Sequence, residues 1–464
     1  MPEVATLAKF HFNDMVVAYL IEQVSQAVSL RMYPAALESK LAAHRTTIDG
    51  SRTAACFFEP LVQLKLLGDP TDEYTQGVTM RNSASLASLR LEDQQVLHSE
   101  DETQVITRLA SARGYAAEHH LAWRAGDQAV TMHTVFENRS NAPLTLEMLA
   151  SFSLSGISPF AADDAPGRLY AHRFRSNWSA EGRHERRLVE DLGLEPSWAH
   201  HGVRIERFGQ VGSMPVRGFF PWAGVEDQQM GVLWGAHLAI PASWQMEFFR
   251  RDDFLSLSGG LADREFGHWM KAIAPGAKFA SPVAYVSTVQ GDIDDLCARL
   301  VAMQLPAAEA APASEHDLPV ICNEWCTSWG NPRHADLIDM ADKLQGSGVR
   351  YLVIDAGWYK GDQGVWDLGQ GDWVANPHLF PSGLAVTAQA IRERGLIPGI
   401  WFEMEVVGNQ SPRFAQDVEH VLHRDSFPIT ASGRRFWDFR DPWVTGYLSQ
   451  KVIGQLRDNG LGYI

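Results

Sequence analysis

Carboxylates and tryptophans occur together in three short clusters in the last third of this 464-residue chain. The clusters are Asn323–Trp329, Asp355–Tyr359 and Trp401–Glu405. Carboxylate oxygens accept hydrogen bonds from paired hydroxyl groups, and the faces of indole rings stack on the C–H faces of sugars. The repeated combination of the two residue types therefore favours a carbohydrate-binding site.

The segments in front of these clusters predict the elements that position them. Val320–Cys326, Val349–Ile354 and Leu396–Phe402 are predicted as buried strands, and the residues between them have the apolar spacing of helices. Strands that alternate with helices are typical of a parallel sheet, either open or closed into a barrel. Functional side chains in such folds follow the carboxyl ends of the strands, where all three clusters fall.

Local signals also predict where helices begin and end. Ser382 is predicted to cap a helix that stops at Gly395. Asp441, followed by a proline, is predicted to start another helix, which ends at Gly460. Leu461–Ile464 then has the composition of the first residues of a fourth strand.

Alternation along the strands predicts which side chains point the same way. Asn323 and Trp325 would share one face of the first strand. Trp401, Glu403 and Glu405 would share one face of the third. Retaining glycosidases need two carboxyl groups roughly 5–5.5 Å apart on opposite sides of the scissile bond, so two carboxylates on one face are a poor acid and nucleophile pair.

Each of these residues also has a structural interpretation. A tryptophan at a strand end is often packed in the core or at the rim, and Asp355 before a small residue could cap a turn. Glu403 and Glu405 could be solvated or could join neighbouring loops through ion pairs. The coincidence of three such clusters at successive strand ends favours the sugar site over these alternatives.

The first 303 residues predict β structure. Leu144–Leu154 alternates apolar and polar residues, which predicts a strand with one buried face. Further strands are predicted at Val130–Phe136, Gly231–Ile240 and Trp244–Phe249, and short strands separated by turns are typical of a large two-sheet sandwich.

The composition changes between the two predicted domains. Residues 304–319 are rich in Pro, Ala and Glu and are predicted as a linker. We therefore predict a β domain at residues 1–303 and an α/β domain at residues 320–464.

Charge and cysteine content exclude several classes of function. The net charge of −16 argues against a general nucleic-acid binder and against a protein held on anionic membranes. We expect no membrane span, no signal peptide and, from only four cysteines, a cytoplasmic location. Cys56 and Cys297 are isolated, and Cys322 and Cys326 are predicted as buried free thiols because no further ligands complete a metal site.

The same motifs resemble glycoside hydrolase family 36, the α-galactosidases or melibiases. The resemblance in the second domain follows the family's order through Tyr351–Trp358, Gly371–Trp373, Asn376, Phe380–Leu384 and Pro398–Glu405. In the first domain it rests on Pro60–Lys65, Gly77–Arg81 and Thr134–Arg139.

The resemblance implies an N-terminal all-β supersandwich followed by a (β/α)8 barrel, of which about the first half is present. It implies retaining hydrolysis of terminal α-linked galactose, or of a related α-sugar, from an oligosaccharide substrate, without cofactor or metal. A transglycosylase of the raffinose-synthase type and a catalytically inactive sugar-binding chain stay open. An unrelated flavodoxin-like binding protein is a third alternative. A homo-oligomer is implied by the resemblance alone.

The resemblance assigns substrate binding to Asp355, Trp325, Trp358, Trp401 and Arg434. Asp355 would bind the outer hydroxyl groups of the sugar, and tryptophans would line the pocket. Arg435 is an alternative to Arg434, because the local spacing is about two residues short of the family pattern.

Three departures from the family pattern affect the expected activity. Ala356 stands where the family commonly has a second Asp, which puts the preference for galactose in doubt, and Met404 replaces a proline. The family's nucleophile and acid/base are expected after Ile464, so no catalytic residue is assigned. The second domain has about 150 residues, whereas a complete barrel takes roughly 250.

Overall fold

The computed structural model describes residues 4–41, 59–70, 79–161, 165–195, 203–212, 214–251 and 254–464. Within it the chain forms two compact units, Met1–Ala308 and Glu309–Ile464. Cys56 and the first two residues of the motif Gly77–Arg81 lie outside the described residues.

The first unit consists mainly of antiparallel strands. Its strands are β1 (Val4–Phe12), β2 (Met15–Glu22), β3 (Val28–Pro34), β4 (Leu64–Leu66), β5 (Arg90–His98), β6 (Glu102–Ser111), β7 (Tyr115–Arg124), β8 (Val130–Asn138), β9 (Leu144–Leu154), β10 (Leu169–Ser176), β11 (Arg183–Leu188), β12 (Val203–Gln210), β13 (Gly218–Phe219), β14 (Trp222–Asp227), β15 (Val232–Ala239), β16 (Trp244–Arg251), β17 (Phe254–Leu261), β18 (Lys271–Ile273), β19 (Lys278–Ala280) and β20 (Val283–Gln290). Its helices are α1 (Ala84–Ala87), α2 (Ile293–Ala302) and α3 (Leu305–Glu309). α3 crosses the division between the units, which falls inside the segment predicted as a linker.

The strands of the first unit form two large sheets that share one hydrophobic core. The larger sheet has the order β11-β10-β14-β15-β20-β8-β7-β6-β5, and the smaller has the order β12-β16-β17-β9-β18. Phe136 and Trp234 from the larger sheet and Phe152 and Phe248 from the smaller are all fully buried in that core. β1, β2 and β3 form a further sheet, which contributes Val17, Tyr19 and Leu30 to the core, among other residues.

The predicted strands of this unit are present, but one burial prediction is wrong. β9 spans the predicted residues, yet its polar side chains are buried as well as its apolar ones. Ser151 and Ser153 are at most 1% exposed. β9 lies inside the smaller sheet, where β4 also pairs with it. The residue before β4 contacts the same strand, since the amide of Ala150 donates to the carbonyl of Gln63 at 2.9 Å.

The second unit begins with parallel βα repeats and continues with short antiparallel strands. Its strands are β21 (Val320–Asn323), β22 (Val349–Ile354), β23 (Ile397–Ile400), β24 (Val406–Gly408), β25 (His423–Arg424), β26 (Phe427–Pro428), β27 (Thr430–Ala431) and β28 (Arg434–Phe436). Its helices are α4 (Trp325–Ser328), α5 (His334–Leu344), α6 (Leu384–Glu393), α7 (Arg413–Gln416), α8 (Pro442–Leu448) and α9 (Gly454–Asn459). A π-helical turn at Ser449–Ile453 joins α8 to α9.

β21, β22 and β23 form the predicted parallel sheet, with β22 in the middle. Tyr463 makes a parallel bridge to Gly399, so the residues predicted to begin a fourth strand do lie beside the third. Asp441 caps α8 by accepting the amide of Trp443 at 2.8 Å, as predicted. Gly460 ends α9 in the left-handed conformation.

Four local predictions in this unit are wrong. β21 stops at Asn323, and three of its four residues are exposed, because it is an edge strand paired only with β22 among the described strands. β23 stops at Ile400 rather than Phe402. Gly383, without a side-chain hydrogen bond, takes the cap position predicted for Ser382. Cys326 is exposed and Cys322 half-buried, because Cys326 lies in α4 and Cys322 in the edge strand.

Among the described residues, no helix is long and apolar enough to cross a membrane.

Candidate functional site

Asp355 is the first residue after the central strand β22, and its carboxylate is held in place on both oxygens. Oδ2 accepts a hydrogen bond from Nδ2 of Asn323 at 2.6 Å, and Oδ1 accepts the backbone amide of Ala356 at 2.6 Å. The residue is 9% exposed. A carboxylate fixed in this way presents its remaining lone pairs in one direction, which suits the recognition of hydroxyl groups.

A second carboxyl group, that of Glu324, lies behind Asp355. Glu324 follows β21 and is 1% exposed. Its Oε1 accepts the backbone amide of Asp355 at 3.1 Å, while its own amide donates to the carbonyl of Val353 at 3.2 Å. Burial raises the pKa of the Glu324 carboxyl, and the carboxylates of Asp355 and Asp336 raise it further.

Half-buried aromatic residues adjoin the residues of this carboxylate pair: Trp325 follows Glu324, and the amide of Trp401 donates to the carbonyl of Ile354 at 2.8 Å. The rings of Trp325 and Trp366 meet edge to face at 5.0 Å, and those of Trp366 and Trp401 at 6.5 Å. Trp401 in turn stacks on Tyr359 at 6.3 Å. Trp329, next to Trp325 at 5.7 Å, is 65% exposed. Together Trp325, Trp366 and Trp401 form what we call the indole wall.

Two glycines allow the loops that carry this wall to approach each other. Gly357 has a φ of +96°, and a Cβ there would lie 2.2 Å from the carbonyl oxygen of Gly330. A Cβ on Gly330, whose φ is +87°, would lie 3.0 Å from the ring of Trp366. Only glycine fits this contact, because both the backbone conformation and the space exclude a side chain.

Arg434 lies near the ring of Trp366 and pairs with Glu403. Its Nη1 donates to both carboxylate oxygens of Glu403, at 3.1 and 3.2 Å, and its Nε donates to the carbonyl of Asp367 at 2.7 Å. The guanidinium lies 5.9 Å from the ring centre of Trp366. Fully buried Gln370 donates to the same Glu403 carboxylate at 3.2 Å.

The pKa of the Glu403 carboxyl is raised above its ordinary value despite this partner. Burial raises the pKa of its carboxyl, and Arg434 and Gln370 only partly oppose the effect. Burial also raises the pKa of Tyr359, and the negative charge of Glu403 adds to that rise. The hydroxyl of Tyr359 donates to the carbonyl of Trp366 at 2.8 Å, which holds the indole wall against the core.

Of the predicted site residues, Asp355 and Trp401 lie in the loops after β22 and β23, Trp325 begins α4, and Arg434 begins β28. Trp358 does not belong to this surface. It is fully buried among Tyr359, Trp373 and Phe402, and its Nε1 donates to the carbonyl of Trp401 at 2.9 Å. Trp358 therefore supports the wall from behind.

The predicted alternative to Arg434 points elsewhere. The guanidinium of Arg435 lies 3.9 Å from the ring centre of Phe414 and donates to the carbonyl of the same residue at 2.5 Å. Neighbouring residues of β28 point to opposite sides of that strand, so only Arg434 reaches Glu403.

The shared strand faces predicted for these residues are wrong. Trp325 begins the short helix α4, and Trp401, Glu403 and Glu405 lie in the loop after β23. Both strands end earlier than predicted, so a period of two does not apply to these side chains. Glu403 joins two loops by an ion pair, whereas Glu405 is exposed.

Sequence reasoning did not single out Glu324 or Gln370. Glu324 stands between two residues of the first cluster, and its position directly after an apolar run was the available signal. Gln370 lies in a long loop rich in Gly and Trp, where no pattern distinguishes it. Their contacts form only when separate loops fold together.

The remaining described residues add no metal centre. Among them, no group of three or more His, Cys, Asp or Glu residues is placed to hold a metal ion. The first unit contains a cavity of about 320 Å³, lined mainly by apolar side chains such as Phe174, Trp222 and Leu300, together with Cys297 and His237. Asp and Glu are absent from the lining of that cavity.

Comparison with known proteins identifies relatives of the chain. The Melibiase family model matches residues 278–464. A probable α-galactosidase G from Emericella nidulans is 27% identical over 352 residues, which cover 71% of this chain and 44% of that protein. The chain thus spans less than half the length of this curated relative.

Solved structures with the same fold cover nearly the whole chain. The α-galactosidase from Lactobacillus brevis superposes with a TM-score of 0.75 at 17% identity, covering 100% of this chain and 63% of that one. A family 36 α-galactosidase AgaA from Geobacillus stearothermophilus, solved in complex with stachyose, gives a TM-score of 0.77 at 16% identity, covering 98% and 65%. These likenesses confirm the predicted fold class, a β-supersandwich followed by part of a (β/α)8 barrel. The match over residues 278–464 and the fold of these structures agree with the resemblance of the chain to glycoside hydrolase family 36, the melibiases.

Proposed function

We propose that this chain carries sugar-binding residues of a glycoside hydrolase that releases terminal α-linked galactose, or a related α-sugar, from oligosaccharides. The observation that carries the proposal is the fixed carboxylate of Asp355 at the carboxyl end of β22, beside the indole wall. This is the end of a barrel strand at which functional groups lie in such folds.

The two kinds of side chain would bind complementary parts of a sugar. The free lone pairs of Asp355 would accept hydrogen bonds from adjacent hydroxyl groups on the outer edge of the ring. The half-buried faces of Trp325 and Trp401 would cover its C–H face, which removes apolar surface from water. Arg434, neutralised by Glu403, would donate hydrogen bonds from one side without adding net charge.

The relatives support the substrate class. The curated relative reported above is a probable α-galactosidase by name, and one solved neighbour was crystallised with stachyose. Because the chain spans 44% of the first of these relatives, the activity of the whole protein is itself part of the proposal.

The proposed chemistry is retaining hydrolysis. One carboxylate would attack the anomeric carbon while a second carboxyl protonates the leaving oxygen, and water would then release the sugar. Neither role fits Glu403, whose oxygens are engaged by Arg434 and Gln370. The residues described above would instead bind and orient the sugar and exclude water from its ring face.

Sugar identity depends on the position after Asp355. Ala356 is buried, at 1% exposure, where the family commonly places a second Asp. The methyl group cannot accept a hydrogen bond, so we propose that one hydroxyl contact is absent and that the preference for galactose over its epimers is reduced.

A cytoplasmic location and assembly as a homo-oligomer belong to the same proposal.

Calorimetric titration of the 464-residue chain with methyl α-D-galactopyranoside tests the binding step. We expect saturable binding, and we expect Asp355→Asn to weaken it by roughly tenfold, because the amide loses the charge that strengthens the hydrogen bonds. Asp317→Asn is the matched control, since it removes one negative charge from an exposed turn of the same unit. Equal affinities of the wild type and Asp355→Asn would rule out the assigned role of Asp355.

Release of nitrophenol from an aryl α-galactoside, assayed in the same preparation, addresses turnover. Its absence together with intact binding would identify a sugar-binding chain, one of the alternatives left open by the sequence. Absence of both would refute the proposed function.

A further inference from the structure

The carboxyl group of Glu324 has no role in the site as proposed above, although it is buried directly behind Asp355. At 1% exposure it cannot touch a ligand without a rearrangement of its surroundings. Among the described residues, no Lys, Arg or His forms an ion pair with Glu324 or with Asp355. Two carboxyl groups therefore share one poorly solvated region without a compensating cation.

Building on the proposed function, we propose that Glu324 is a positioning residue of the sugar site, which fixes the backbone of Asp355 and makes sugar affinity depend on its own protonation. Its Oε1 accepts the amide of Asp355 at 3.1 Å. Asn323, the residue before it, holds the Asp355 side chain at 2.6 Å. Two consecutive residues thus hold the backbone and the side chain of the same aspartate.

The anchor is rigid because Glu324 is itself fixed at several points. Its amide donates to the carbonyl of Val353, which lies on the neighbouring strand β22. Its carbonyl accepts the amide of Thr327 at 2.8 Å, and Ser328 hydrogen-bonds its side chain. Displacement of Glu324 would therefore move Asp355 and the start of α4, which carries Trp325, together.

The charge balance gives the sign of the pH dependence. The titratable groups that influence Glu324 are Asp355 after β22 and Asp336 on α5, and the thiol of Cys322 on β21 lies within reach of its charge. Burial and the two carboxylates raise the pKa of Glu324, so it keeps its proton to a higher pH than an exposed glutamate.

A bound sugar would strengthen this coupling. It displaces water from the exposed edge of Asp355, which lowers the local dielectric constant and increases repulsion between two ionised carboxylates. The bound state then favours protonated Glu324 more than the free state does. By linkage, affinity is highest where Glu324 is protonated, and it falls as pH rises through the pKa of Glu324.

The decisive comparison is the pH profile of galactoside binding in the full chain and two variants. For the wild type we expect the Kd for methyl α-D-galactopyranoside to rise by about three- to tenfold between pH 5 and pH 8. A tenfold rise corresponds to a pKa of Glu324 about one unit higher in the sugar-bound state than in the free state. Glu324→Gln keeps a side-chain oxygen that can accept a hydrogen bond from the Asp355 amide, but the glutamine side chain cannot ionise. We expect it to bind like the wild type at pH 5 and to have a flat profile.

Glu324→Ala removes the acceptor and should weaken binding by about tenfold at every pH, because the amide of Asp355 loses its buried partner. Asp317→Asn controls for the loss of one negative charge and should follow the wild-type profile. A purely structural role would make both Glu324 variants bind poorly at all pH values, and that result would overturn the proposal.

The wild-type pH profile retained in Glu324→Gln would also overturn it. If the wild type and Asp355→Asn behave as proposed while Glu324→Gln does not, only the positioning role fails. If the wild type binds no galactoside, the proposed function fails and this role fails with it.

Discussion

The ion pair between Arg434 and Glu403 provides the sharpest test of how the loops of the second unit are held. Arg434→Met removes three contacts: two hydrogen bonds to the carboxylate, at 3.1 and 3.2 Å, and one to the carbonyl of Asp367, at 2.7 Å. The side chains are 22% and 29% exposed. Exposed ion pairs contribute about 0–1 kcal/mol to stability, whereas breaking a fully buried pair costs about 3–5 kcal/mol. Because this pair is partly buried, we expect Arg434→Met to lower the free energy of unfolding by about 2 kcal/mol.

The same substitution changes the pH dependence of stability. Burial already raises the pKa of Glu403, and loss of the guanidinium raises it further. A carboxyl whose pKa is raised in the folded state binds its proton more tightly there, so stability is greatest below the unfolded pKa of about 4.3 and falls as pH rises through the folded pKa. Arg434→Met should therefore lose more stability at pH 8 than at pH 5.

A double-mutant cycle with Glu403→Gln isolates this charge effect. Urea unfolding followed by tryptophan fluorescence, at pH 5 and pH 8, gives the free energy of unfolding for all four proteins. The double variant buries no carboxyl at this position, so it should be more stable at pH 8 than Arg434→Met and should lose the added pH dependence. An Arg434→Met protein within about 0.3 kcal/mol of the wild type at both pH values would refute the reasoning.

Three further predictions concern packing and reactivity. Trp358→Phe should lower stability by about 2 kcal/mol in urea titrations, because the carbonyl it bonds loses a partner and a small cavity forms; an unchanged midpoint would contradict its place in the core. Gly357→Ala should reduce the melting temperature sharply, since a Cβ would lie 2.2 Å from the carbonyl oxygen of Gly330, and an unshifted transition would contradict that contact. In a Cys56→Ser background, exposed Cys326 should react with Ellman's reagent faster than Cys297, whose pKa burial raises; adding Cys326→Ser should remove the fast phase, and a fast phase that persists would be the contrary result.

The sequence predicted the elements of the second unit better than their ends. The apolar runs of β22 and the helix start at Asp441 were strong local signals, and both are present. The ends of β21 and β23 were placed two or more residues too late, because Trp and Phe favour strands as readily as they favour packing between loops. The error mattered because it put Trp325 and Glu403 on strand faces.

The candidate site was predicted as a set of residue types rather than as an arrangement. Asp355 and Arg434 were singled out from motifs. The structure fixes Asp355 through Asn323 and places the Arg434 guanidinium 5.9 Å from the ring centre of Trp366. Trp358 belonged to the strongest motif of all, yet its burial shows that a motif can contain core and surface residues alike. Whether a motif residue is buried in the core or lies at the surface depends on the loops that pack against it. Those loops come from other parts of the sequence.

What the sequence by itself determined is the order of strands and helices, the family resemblance and the clustering of carboxylates with tryptophans at strand ends. These properties follow from local periodicity and residue type, which each segment carries on its own. Only the tertiary structure decided that Glu403 pairs with Arg434 and that Glu324 lies behind Asp355. The physical reason is that burial and charge pairing depend on contacts between residues about 30 positions apart, and those contacts exist only once the loops have packed together.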